Sequence, residues 1–262
     1  MQKLTPKAAG SAGCLQAFGR AKLRARDTLT CMAGEDAALP LKQVAALFKQ
    51  VTAPLDGTPD DPPTDHADTL NCLAAEALLA YQRLWMATAE KNIQYAALQC
   101  RNLAELAVWT EFCCTSQANA DLFKQDALRD AKGIIRALQQ VFALGAQMPP
   151  EISLVDINQR PTVLAGIPNI DPLDTKFKRV SDAAREMSPL GGEVFAKLNT
   201  VLSKFIHPTA FVVKSLIPPD SASEFTQNLL VLGTSLALSV VTEIAKVAPT
   251  ITGRSYPQPF AV

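Results

Sequence analysis

The chain has 262 residues, 48% of them apolar and 19% charged, and its 25 basic and 25 acidic side chains leave no formal net charge. That length allows one large domain or two small ones with a sizeable core, and the composition is that of an ordinary globular protein. A zero balance argues against a dedicated nucleic-acid binder, whose phosphate contacts need a basic surplus, although a local patch stays possible.

Lys3, Lys7, Arg20, Lys22, Arg24 and Arg26 all precede the first acid, Asp27. Such a start has the composition of an organellar transit segment, but Leu15, Phe18, Ala25 and Leu29 already make a core stripe, so a first helix over about 7–32 is expected. The N-terminus lacks the apolar run of a secretory signal. A short helix follows over 41–52, and residues 1–53 are expected to pack as a unit on the main bundle. The stretch PLDGTPDDPPT at 54–64 reads as an acidic, proline-rich loop with nothing to pack, and its acids lack the order of a calcium loop.

The main bundle is expected over 65–248. Asp65 is positioned to cap a helix over 66–90, with Leu70, Leu73, Ala77, Leu84 and Ala87 inward and His66 exposed on its first turn. The pattern changes phase at Lys91-Asn92, and the next helix runs to Thr115. Its segment CRNLAELAVWTEFCC (100–114) is apolar on nearly every side, which places it in the centre of the bundle. A helix over about 118–146 ends at Gly145 and Pro149-Pro150. Residues 149–174 form an irregular insertion, in which ISLVDI and TVLAGI could pair as a hairpin covering the bundle.

Helices resume over 175–187 and 192–206, separated by Pro189-Leu190-Gly191-Gly192, and Pro208 stops the second. A short apolar segment spans 209–217. Ser221 and Glu224 form a capping box for a last helix to about 247. Its run LLVLGTSLALSVV is 13 residues long, short of the roughly 20 that a bilayer span needs; a buried core helix is expected, not a membrane anchor. Residues 249–262 read as a loose tail. The fold class is therefore all-α, a bundle of about seven or eight helices around a central buried helix.

The six cysteines (14, 31, 72, 100, 113 and 114) lie in helical stretches without metal-ligand or disulfide spacing. They are expected to be free thiols in a reducing, cytoplasmic compartment. No phosphate loop, G-x-S-x-G, H-E-x-x-H or C-x-x-C occurs, and with His66 and His207 as the only histidines no multi-histidine metal site can form within one chain. No metal and no cofactor are expected.

Two polar pairs remain. Arg101 and Glu105 sit one turn apart in the most apolar helix, and Ser203 and His207 repeat that spacing at the end of another. A buried Arg needs a partner, and Glu105 is the local one. The four residues can be read as a ligand-binding pocket, with Arg101, Glu105 and His207 as catalytic candidates, or as a buried network that fixes the register of two helices. In either case Arg101 and Glu105 are expected to face the helix ending at His207.

R-N-L-A-E-L (101–106), followed by L-S-K-F-I-H-P (202–208), resembles a group of uncharacterised bacterial all-α proteins that share an R-[SN]-x-x-E helix and a later S-x-x-[IV]-H-P turn. The matching positions are Arg101, Asn102, Glu105, Ser203, His207 and Pro208. The resemblance implies a helical fold, a bacterial source and the two motifs together in space. A fainter similarity is to HEPN-type helical RNases, which carry an Arg four to six residues before a His near a helix end. Here Lys204 is the nearest base to His207. The expectation is a non-catalytic interaction or ligand-binding module whose partner is a protein or a small anion. The competing reading is a metal-independent hydrolase or ribonuclease of toxin or defence type centred on Arg101, Glu105 and His207.

Overall fold

The computed structural model describes residues 38–57, 63–125, 179–207 and 219–253. The expected first helix, the insertion 149–174, the segment 209–217 and most of the helix over 118–146 lie outside them. Every regular element among the described residues is helical: α1 Leu41–Thr52, α2 Asp65–Ala89, α3 Ile93–Thr115, α4 over 117–125, α5 Val180–Met187, α6 Pro189–Ile206 and α7 Pro219–Thr252. The fold is all-α, and α3 is its centre. It packs against α2, α5, α6 and α7, and no residue from Tyr95 to Cys114 is exposed.

Local chemistry sets most of the helix ends. Thr64, not Asp65, caps α2 by accepting from the Ala67 amide at 3.2 Å; Asp65 sits inside the helix and its carboxylate meets Lys124 instead. The α2–α3 turn satisfies two orphan carbonyls, with Asn92 N–H donating to Ala87 O at 2.8 Å and Lys91 N–H to Thr88 O at 3.1 Å. This is a Schellman closure, and it holds Lys91 at φ 55°, where glycine is the usual residue. Asn92 then caps α3 through Tyr95.

The far end of α3 is closed by side chains. Asn119 Nδ2 donates to Phe112 O at 3.0 Å, and His66 Nε2 meets Cys113 O at 2.8 Å. His66 is thus 8% exposed, contrary to its expected place on the surface: two carbonyls left over at a helix C-terminus need donors, and His66 is one. Leu55, in the loop expected to pack nothing, is 1% exposed and seals the end of α1.

Two helix boundaries differ from expectation. Pro189 does not interrupt α6 but opens it, at the first position where its missing N–H costs nothing, with Ser188 Oγ accepting from Gly191 N–H at 3.2 Å. At α7 the helix begins at Pro219, ahead of the expected capping box, and continues through Pro249 to Thr252. Its stop is Gly253, whose φ of +64° terminates a helix at little steric cost.

Helix α7 crosses α2 and α3 closely at Gly233, where Leu84, Leu103 and Cys100 occupy the space of a side chain. The Cys100 thiol donates to Leu229 O at 2.9 Å, and the Tyr81 hydroxyl ties Leu39 O (2.8 Å) to the Thr234 hydroxyl (3.0 Å). Over Ser221–Thr252, α7 is longer than its central run and is long and apolar enough to cross a membrane by length and composition. Of its apolar 18-residue window, 67% is buried within the bundle, and the exposed positions of the stretch are Glu224, Gln227, Asn228, Ser235, Lys246 and Thr250. Much of its apolar surface packs against α1, α2 and α3.

Candidate functional site: the groove between α2 and α3

The expected pair forms. Arg101 Nε donates to Glu105 Oε1 at 3.0 Å, and the two side chains are 31% and 32% exposed. The pair is therefore not buried in the helix core, as its apolar sequence neighbours suggested. It sits at the edge of α3, where water still reaches both groups. Exposure also removes the energetic reason for the network: a half-solvated guanidinium needs no further partner to remain charged.

Ser203 and His207 lie elsewhere in the hydrogen-bond scheme. The Ser203 hydroxyl donates to Asn199 O at 2.7 Å, within its own helix. His207 ends α6, exposed, with its backbone N–H on Ser203 O at 3.3 Å. Among the described residues no hydrogen bond or ion pair joins Arg101 or Glu105 to Ser203 or His207. The structure thus assembles one member pair of the expected site and leaves the other on a separate network.

Glu105 does reach a concave surface. Glu76, Ala80 and Arg83 from α2 and Gln99, Asn102, Glu105, Leu106 and Trp109 from α3 line an open groove of about 240 Å³. Helical spacing accounts for the lining, since each set lies along one stripe of its helix. Because α2 and α3 run antiparallel from a tight turn, Arg83 lies level with Gln99 and Asn102, and Glu76 lies level with Glu105, Leu106 and Trp109. The groove thus has an amide-rich basic end and an acidic end with an apolar floor. Gln99 is only 2% exposed, and Asn102 Nδ2 approaches its Oε1 at 3.5 Å. Trp109 is braced by Phe112 edge-on at 5.9 Å and by Phe123 at 5.2 Å.

Sequence reasoning named Glu105 here but missed Glu76, Arg83, Gln99 and Trp109. Their signal was present only as two stripes, one on each of the helices that meet at Lys91-Asn92. Among the described residues no group of three or more His, Cys, Asp or Glu side chains is arranged to hold a metal ion. The thiols are held protonated by burial. Cys113 is pushed up to about 12, and Cys100 and Cys114 are raised further, with Glu243 adding to the effect at Cys114.

No family model matches the chain, and neither a curated protein nor a solved structure is similar to it.

Proposed function

We propose that this chain is a non-catalytic interaction module whose contact surface is the α2–α3 face. The observation that carries the reading is the groove itself. At about 240 Å³ and open to solvent, it falls below the roughly 300–1,000 Å³ of small-molecule pockets. A shallow groove with a braced Trp, an Arg and flanking carboxylates has instead the composition of a protein contact, where Trp and Arg carry much of the energy. The Arg101–Glu105 pair then serves as a rim charge that orients a partner. The free thiols of Cys72, Cys100, Cys113 and Cys114 support a reducing, cytoplasmic setting.

The test is comparative. The full chain, an Asn102→Phe variant that fills the groove and an Asn228→Phe control on α7 are used to capture proteins from the source cell, with a differently tagged copy of the chain present. The expected result is a protein retained equally by the wild type and the control and reduced at least about tenfold by Asn102→Phe, and then shown to bind the purified chain. Identical capture by all three would overturn the reading.

A further inference from the structure

We infer that the protein self-associates through the outer face of α2, two copies pairing antiparallel about a two-fold axis level with Ala80 and Tyr81. The seam adjoins the groove proposed above, which shares Glu76 and Arg83 with its flank, and the inference rests on that reading of α2 as a contact element.

The starting observation is a heptad seam that faces away from the core. Cys72, Ala75, Leu79, Gln82, Met86 and Ala89 recur at alternating spacings of three and four, the pattern that keeps a stripe of one helix in register with a second. None of the six is buried, and Met86 is 58% exposed. The opposite face of α2, from Leu70 through Ala77 and Leu84 to Ala87, is the one spent on α3 and α7. In an antiparallel pairing about that axis Cys72 stacks on Ala89, Ala75 on Met86 and Leu79 on Gln82, each combination twice. The alanines make room for the Met side chain and for close approach of the backbones.

The charges identify the occupant as a second copy. Glu76 and Arg83 flank the seam on one side and are both exposed, and neither is in an ion pair among the described residues. They stand seven residues apart, about 10.5 Å along the helix. The register that stacks the seam also sets Glu76 of one copy against Arg83 of the other, and the reverse, so one surface satisfies itself, as an isologous contact requires. On the other flank the same register sets Leu78 against Trp85, both half-buried. A parallel pairing does neither: it places Arg83 against Leu78 and Glu76 against Asn71. On the two flanks, only the antiparallel arrangement sets opposite charges against each other and Leu78 against Trp85.

Sedimentation velocity and light scattering on the full chain test this. The expected mass is twice the chain's 28.1 kDa, falling on dilution. Met86→Arg, at a position exposed in the single chain, should give a folded monomer that melts like the wild type diluted to its monomeric form. Glu76→Arg and Arg83→Glu should each weaken association at least about tenfold by juxtaposing like charges, and the double reversal should restore it. With Ala89→Cys, mild oxidation should join the new thiol to Cys72 of the second copy in a cross-linked peptide read by mass spectrometry. A chain that stays monomeric at its highest soluble concentration would overturn the proposal. So would a dimer indifferent to Met86→Arg and to charge reversal. A monomer that still loses a different protein on Asn102→Phe would overturn self-association alone and leave the α2–α3 contact face standing.

Discussion

Gly233 offers the sharpest test of how α7 is seated. In a solvent-exposed helix, Gly→Ala stabilises by about 1 kcal/mol through backbone entropy. At 233 the added Cβ would lie 2.1 Å from Leu84 Cδ2, 3.3 Å from Leu103 Cδ1 and 3.6 Å from Cys100 Sγ. Leu84 and Leu103 are both fully buried, so the leucine methyl must shift within the core and not into solvent, and overpacking of such a core costs about 1–3 kcal/mol. A 2.1 Å approach belongs in the upper half of that range, about 2–3 kcal/mol, so after the propensity gain Gly233→Ala should destabilise by a net ~1–2 kcal/mol. Leu84→Ala alone should cost about 2–5 kcal/mol by opening a cavity. The double variant should cost clearly less than the two together, by ~1 kcal/mol or more, because the methyl at 233 enters the space that the leucine leaves. Urea unfolding followed by far-ultraviolet circular dichroism, with equal slopes among the variants, reads all three values. A neutral or stabilising Gly233→Ala, or strict additivity in the double variant, would refute the close approach.

Arg101→Ala should lower stability by only about 0.2–1 kcal/mol, the value of an exposed ion pair; a loss of several kcal/mol in the same urea assay would mean that the pair is buried in solution. Lys91→Gly should stabilise the fold by up to ~1 kcal/mol by relieving a left-handed residue of its Cβ, seen as a higher urea midpoint; a lower one would show that Lys91 contributes more than its backbone costs. The buried thiols predict an alkaline weakness. Their folded values lie above the ordinary 9.0, so their stabilisation is complete below that value and is lost as pH rises toward about 12, where Cys113 titrates. Between those limits each buried thiol should remove stability as pH rises, because the unfolded chain releases the proton that the fold retains, and Cys100→Ala should flatten the decline in melting temperature between pH 9 and pH 10. A wild-type melt independent of pH across that interval would contradict the burial.

How much of the fold was legible depends on how far apart the deciding groups are in the chain. Helices α1, α2, α3 and α6 were readable because stripes and caps act within a few residues, and α3 was recognisable as central because its apolar positions go all the way round. Errors appear where a contact spans the chain. His66 could be placed at a helix start, but the carbonyl that buries it belongs to Cys113, on the next helix. Leu55 looked like part of a polar loop because Pro and Asp surround it, yet one leucine in such a loop suffices to close a core edge. Pro249 was a reasonable stop on local grounds, but a helix anchored by Leu236, Val240, Ile244 and Ala248 in the core can absorb one missing hydrogen bond and run on to Gly253.

The site was legible in its spacing and illegible in its surroundings. The one-turn, i to i+4 spacing of Arg101 and Glu105 suffices to predict the ion pair, and it forms at 3.0 Å. Whether that pair is a buried network or a rim charge depends on which helices cover α3 at that turn, and Arg101 and Glu105 carry no mark of it. Their apolar neighbours point the other way, because those neighbours face α2, α6 and α7 while the pair occupies the edge between them. The same reasoning locates what was overlooked. A stripe on α2 that repeats every seven residues reads, in isolation, as the inward face of one more bundle helix. Only after α3 and α7 are seen to claim the stripe through Leu70, Ala77 and Leu84 does the one through Cys72, Leu79 and Met86 become surplus. A helix needs one apolar face to join a bundle; a second one, flanked by Glu76 and Arg83 on either side of its midpoint, calls for another molecule.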